Sequence, residues 1–214
     1  TNNQQKLIWL FRLDSLGGVI WSQTYATDTI FVDEWSHSLL NISDSNCVIT
    51  AETYYPDSTF SPNNYILKIL LIKVNINGVA LLTIPWGTNN GVVSDGRISV
   101  ADLHENLYSS GRRARTISPA GDSPCLFKTS SNGQPAFYKD LKTTCNLGTG
   151  EAINWFQDSS LAIVAQWRYA NDIDTTGVIK TDINGNTLNI KNLTTVSNCS
   201  IYGSGLTFNN RLIL

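Results

Sequence analysis

The segment VIKTDINGNTLNIKN, residues 178–192, decides the architecture. Apolar and polar residues alternate on both sides of Asn184-Gly185, the two-residue period of a strand half-buried against a core. An Asn-Gly pair between two such runs supplies the positive φ angles that a tight hairpin turn demands. The same plan recurs as LFRLDSLGGVIWSQT (10–24), LIKVNINGVALLTI (71–84) and LFKTSSNGQPAFYKD (126–140). The aligned glycines are Gly17, Gly78, Gly133 and Gly185. A basic residue precedes each turn, at Arg12, Lys73, Lys128 and Lys180. A small polar residue opens it, at Asp14, Asn75, Ser130 and Asp182.

A second segment recurs between the hairpins: SLLNISDSNCVITAET (38–53), SVADLHENLYSSGR (99–112), INWFQDSSLAIVAQW (153–167) and GLTFNNRLIL (205–214). Each reads as strand, polar turn, strand. The repeating unit is therefore four strands. Successive glycines are 61, 55 and 52 residues apart, and 46 residues remain from Gly185 round the chain ends to Gly17. Four-stranded sheets repeated radially form a β-propeller. The chain begins inside a unit, with a hairpin at 7–24, and ends on the first two strands of another, about 198–214. The expected fold is all-β, a single domain spanning 1–214. It is a four-bladed propeller of about sixteen antiparallel strands whose last blade is closed by residues 7–24 and 198–214. Such closure covers strand edges that would otherwise invite aggregation. A two-sheet sandwich and a fragment of a larger ring are the competing architectures.

The hairpin pattern resembles the repeats of bacterial and archaeal secreted propeller-like proteins, whose copies read roughly L-x-K-x-D-x-N-G-x-x-x-W-x-x-T-Y. The first copy, with Trp21, Thr24 and Tyr25, is nearest to that form, and the other three lack the Trp and Tyr. The resemblance implies a secreted or surface location and an architecture, not an activity, because propellers host hydrolases, lyases, lectins and scaffolds alike.

Composition points the same way. Of 214 residues, 64 are Asn, Ser or Thr, while only 15% are charged, below the usual value of roughly 25%. Solubility rests on amides and hydroxyls. A net charge of −2 excludes a strongly basic nucleic-acid surface. The apolar run near Ile66–Val74 is interrupted by Lys68 and Lys73 and falls short of the ~20 residues of a membrane helix. The sequence contains no Met, position 1 included, as expected of a chain from which a leader has been removed or trimmed. An extracellular or cell-surface location is the expectation. Sequons at Asn41, Asn192 and Asn198 arise readily by chance in a sequence so rich in Asn, Ser and Thr.

Four cysteines lack CxxC spacing, so zinc and thioredoxin-like motifs are not supported. Cys125 and Cys145 flank one hairpin and suit a disulfide; Cys47 with Cys199 is a weaker pairing. His37 and His104 have no metal spacing, and neither a metal nor a cofactor is expected. Arg12, Lys73, Lys128 and Lys180 read as cations guarding outer strands before they read as an anion-binding ring. Asp102, Glu105 and Glu151 are the acids an enzyme would use; a glycosidase needs two facing across about 5 to 10 Å, and the sequence places no such pair. Aromatic rings stack on sugar C–H faces, which makes Trp35, Trp155, Trp167 and Tyr169 candidate ligand contacts. Arg112, Arg113 and Arg115 form the densest positive cluster, in a Ser/Gly/Pro-rich loop at 109–124, and suit a protein or anionic-glycan partner. The expected function is a secreted, non-enzymatic propeller acting in binding or extracellular assembly, with a protein partner or its own copies. A glycan-binding lectin is the alternative, and a propeller glycosidase or lyase the second.

Overall fold

Each outer hairpin turns on hydrogen bonds its own sequence provides. The amide of Asn75 donates to the Val79 carbonyl and that of Gly78 to the Asn75 carbonyl, both at 3.0 Å. The Asn75 side-chain oxygen accepts from the amides of Asn77 and Val79. Asp14 and Asp182 repeat this pattern, and Ser130 uses its hydroxyl toward Gln134. Only the glycine is left-handed, with φ between 74° and 85° in the four copies. The expected pair of positive φ angles is therefore one: a three-residue loop with a bulge replaces the two-residue turn, and the Asn before glycine stays in ordinary backbone space.

The computed structural model describes residues 6–27, 33–56, 65–86, 93–115, 121–141, 147–168 and 174–194, with 205–206 and 212–213. All strand pairing is antiparallel, and there is no helix among the described residues. A hairpin, β1 (Ile8–Leu13) and β2 (Val19–Tyr25), comes first. Three four-stranded meanders follow: β3 (Glu34–Ser43), β4 (Asn46–Pro56), β5 (Tyr65–Asn75) and β6 (Ala80–Trp86); β7 (Val93–Ala101), β8 (Leu107–Arg115), β9 (Gly121–Thr129) and β10 (Pro135–Asp140); β11 (Leu147–Trp155), β12 (Leu161–Arg168), β13 (Asp174–Thr181) and β14 (Thr187–Thr194). A short pair, β15 (Gly205–Leu206) and β16 (Leu212–Ile213), ends the chain. The first and last pairs are separate two-stranded sheets, not hydrogen-bonded to one another.

The sheets stack face to face. Along β5, Leu70, Ile72 and Val74 pack with Ile8 and Tyr25 of the hairpin. Between them, Ile69 and Leu71 pack the other way, with Cys125 and Phe127 of the second meander. Leu126, Ile153 and Ile163 join the second meander to the third. Central strands are thus apolar on both faces rather than alternating, and each fully buried Leu or Ile contributes roughly 1.5–3 kcal/mol. The basic residues Lys73, Lys128 and Lys180 occupy third strands, paired on both sides. They do not guard an edge. Lys73 pairs with Glu105 and Lys180 with Asp158, both at 2.6 Å, and Lys128 lies over the Tyr108 ring.

One docking rule repeats between sheets. The tip of each outer hairpin lies on the last strand of the preceding sheet: Gly78 against Trp21 of β2, Gly133 against Leu82 and Ile84 of β6, Gly185 against Phe137 of β10. A side chain at these glycines would collide with those residues. No described residue lies within 4 Å of a Cβ at Gly17.

Candidate functional site

The first strand of every meander breaks register at an ionisable residue, and β3 breaks a second time, at Ile42. Ser36 pairs with Ala51 and Ser38 with Thr50, skipping His37. Gly96 pairs with Gly111 and Ile98 with Ser110, skipping Arg97. Gly150 pairs with Ala165 and Ala152 with Val164, skipping Glu151. A β-bulge leaves one residue unpaired and re-aims its side chain, and here the re-aimed residue is ionisable in all three strands. β7 packs against both β3 and β11, so the bulged residues converge where the first strands meet.

Small residues permit that approach. A Cβ on Gly96 would stand 2.8 Å from Ile69, and one on Gly150 would stand 3.0 Å from Ser110 and 3.2 Å from the Gly111 amide. Beneath lies a buried hydroxyl chain, with Ser99 bonded to Thr50 at 2.6 Å and to Ser109.

The charges at this end are interlocked. An Arg97 guanidinium nitrogen lies 3.5 Å from His37 Nδ1, and His37 Nε2 lies 3.3 Å from a Glu52 oxygen. Arg112 donates to Asp122 at 3.3 Å, and Arg113 to Asp140 at 2.6 Å, with Ser123 on the other Asp140 oxygen. Glu151 is different. It makes no direct hydrogen bond or ion pair among the described residues. Burial pushes its carboxyl above the ordinary 4.5, against the opposing pull of Arg97, His37 and Arg112. Burial likewise raises Asp122, with Arg112 opposing.

The aromatic candidates divide. Trp35, 45% exposed, lies on β3 directly across from Glu52, with the Lys6 ammonium 3.9 Å from its ring centroid. Trp155 packs edge-on against Tyr108 and donates its indole N–H to the Ala101 carbonyl at 2.8 Å. Trp167 is 2% exposed, in the core beside Gly177. Tyr169 lies outside the described residues.

The arginines are not in a loop. Arg112, Arg113 and Arg115 lie on β8, whose ladder to β9 runs through Arg115–Gly121. Arg112 and Arg113 are partly buried in ion pairs, and Arg113 also lies over Tyr138. Cys47 and Cys125 are thiols, and Cys145 and Cys199 lie outside the described residues. Asp102 and Glu105 sit in the β7–β8 turn, beyond the strand end, and do not join Glu151. His104 shares that turn, its amide bonded to Asp102. No cluster of metal-binding side chains occurs among the described residues.

Sequence reading singled out Glu151 but passed over Arg97 and gave His37 no role. A signal for the trio exists: a small residue precedes each, in Ser36-His37, Gly96-Arg97 and Gly150-Glu151. No known protein-family model matches the chain, and no curated protein matches it.

Proposed function

We propose that the chain closes into a four-sector β-propeller and acts at an extracellular or cell surface as a binding module, with the end carrying His37, Arg97 and Glu151 as its contact face. The observation that carries the reading is the threefold bulge. Each bulge forfeits ladder pairing in the first strand of a meander, and each delivers an ionisable side chain to the same place. Binding accounts for this better than hydrolysis, because Asp122 and Asp140 are paired with arginines and Glu52 faces His37, which leaves Glu151 without a facing free acid among the described residues. A solubility built on amides and hydroxyls suits the extracellular location.

Closure rests on the docking rule. Its unused halves are Gly17 and the outer face of β14, one at each end of the stack. Apolar residues are exposed at both ends, with Trp9 at 64%, Val19 at 65% and Leu188 at 57%. A cleft of about 730 Å³ lined by Leu10, Arg12, Leu39 and Asn41 runs beside β1, where the fourth sheet would hold its first two strands. The C-terminal pair β15 and β16 would supply those strands; the rest of 198–214 lies outside the described residues. Asn189 pairs with Lys180 as Leu82 pairs with Lys73 and Trp21 with Arg12, so Gly17 would meet Asn189.

The test of closure joins Leu16→Cys to Asn189→Cys with a short bismaleimide, using Asn132→Cys with Leu82→Cys as the positive control. Crosslinking within one chain is expected. Crosslinking between chains would replace the ring by head-to-tail assembly, and no crosslink beside a working control would refute both. The test of binding is a thermal-shift panel of neutral sugars, amino acids, dicarboxylates and polyanions on the wild type and Arg97→Ala. A shift confined to the wild type is expected, and silence across the panel overturns the reading.

A further inference from the structure

The His37–Arg97–Glu151 end brings a carboxyl group, guanidinium groups and an exposed indole to one part of the fold. Glu151 is a carboxyl group with no internal hydrogen-bond donor among the described residues, bulged from β11 where that strand packs on β7, itself bulged at Arg97, and on β8, where Gly150 meets the Gly111 backbone beside Arg112. A vicinal diol satisfies such a pair, because one hydroxyl donates to the carboxylate while its neighbour accepts from a guanidinium. The Trp35 ring stands across the ladder from Glu52, whose carboxylate meets His37. Lys6 covers one face of that ring, yet Trp35 stays 45% exposed, leaving apolar surface for sugar C–H groups beside the charged cluster.

We propose that this end binds a neutral oligosaccharide, with Glu151 accepting from one ring hydroxyl, Arg97 donating to an adjacent one, and Trp35 packing on a neighbouring sugar face. The assignment rests on the binding reading above and goes beyond it in naming the ligand. A purely anionic ligand would meet the Glu151 charge. A purely cationic one would meet Arg97 and Arg112. A neutral polyol meets neither repulsion and uses both kinds of group.

The experiment is calorimetric titration of the whole chain with maltotriose, cellotriose and chitotriose, and in parallel with arginine, glutamate and succinate. The proteins are the wild type, Glu151→Gln and Trp35→Ala, with melting temperature recorded for each. Saturable binding of a trisaccharide, at least tenfold weaker in both variants while each melts cooperatively, is the expected result. Binding of an amino acid or dicarboxylate with no trisaccharide response overturns the saccharide assignment and leaves the binding reading standing. Trisaccharide binding unchanged in both variants overturns the assignment to this end. Binding of nothing overturns both. Should Trp35→Ala fail to fold, Trp35→Leu replaces it, since it keeps apolar bulk but removes the aromatic face, and the same tenfold weakening is expected of it.

Discussion

The Tyr25 hydroxyl donates to the Gly78 carbonyl at 2.8 Å, fastening the N-terminal hairpin to the tip of the β5–β6 turn. Trp21 and Arg12 add bonds to the neighbouring Ile76 carbonyl at 2.7 and 3.1 Å. A two-stranded hairpin is marginal alone in water. This one is held by side chains reaching the next sheet's turn. The third meander is tied in a related way, through Lys139 to Asn186 at 2.9 Å.

Tyr25→Phe removes the hydroxyl and leaves the Gly78 carbonyl without that donor. The expected cost is about 1 kcal/mol, read from the urea midpoint. Amide exchange in β1 and β2 should speed up more than in β11–β14. Equal acceleration throughout would mean the hairpin does not respond as a separate unit.

Gly133→Ala carries two penalties. Its φ of 81° costs an L-residue roughly 1–2 kcal/mol, and its Cβ would stand 2.7 Å from Leu82 and run into Ile84. Overpacking adds roughly 1–3 kcal/mol. Adding Leu82→Ala and Ile84→Val should restore part of the loss relative to those changes alone. Strictly additive stabilities in that cycle would show that the turn does not rest on β6.

Inner turns place other residues in the left-handed position. Ser159 has φ of 61° and Glu105 of 58°. Ser159→Gly is expected to stabilise the chain by about 1 kcal/mol. Glu105→Gly relieves the same strain but loses the 2.6 Å pair with Lys73, so its change should be smaller. The two midpoints measured side by side decide the point, and an equal gain would leave the Lys73 pair without net value.

The outer hairpins are legible in the sequence because everything that specifies them is local: a small polar opener, a glycine three residues on, and flanking strands. The bulges are not, since register belongs to two strands at once and Arg97 looks like any strand residue until Gly96 and Ile98 find their partners. The segment Ser109-Ser110-Gly111 reads as a loop for a related reason. Its small residues are a packing requirement, because β11 passes so close that Gly150 nearly touches Ser110 and Gly111. Composition alone does not separate a polar surface loop from a strand squeezed where sheets converge. Trp167 illustrates the converse: an indole suited to a ligand is absorbed by the space that Gly177 leaves above it.

Asp158 bonds Lys180 and Ser160, which hold its carboxyl down at about 2 from the ordinary 3.8. A depressed carboxyl stabilises the fold above its unfolded pKa, and that contribution fades as pH falls through the folded value. Part of the acid loss of stability should therefore fall between pH 3.8 and 2. Both groups are solvent-facing, so the effect is small and salt-sensitive. Denaturation of wild type and Asp158→Asn should show stabilities that converge as pH falls across this window. A gap that stays constant would remove the pair from the account.

Glu151 should give the opposite slope. Its folded carboxyl is raised above 4.5, by burial first, so the folded chain holds that proton more tightly than the unfolded chain. The group's contribution to stability then declines as pH rises from 4.5 through the folded value, and levels off above it. Glu151→Gln removes the titration. His37, Glu52, Arg97, Arg112 and Asp122 remain in both proteins, so their direct contributions largely cancel in the difference. Stability of the variant minus that of the wild type should climb from pH 4 to 7, measured by urea denaturation at fixed ionic strength. A flat difference would mean that Glu151 is fully solvated, and a falling one that it is held as a paired anion, which would remove the donor-free carboxylate on which the saccharide assignment depends.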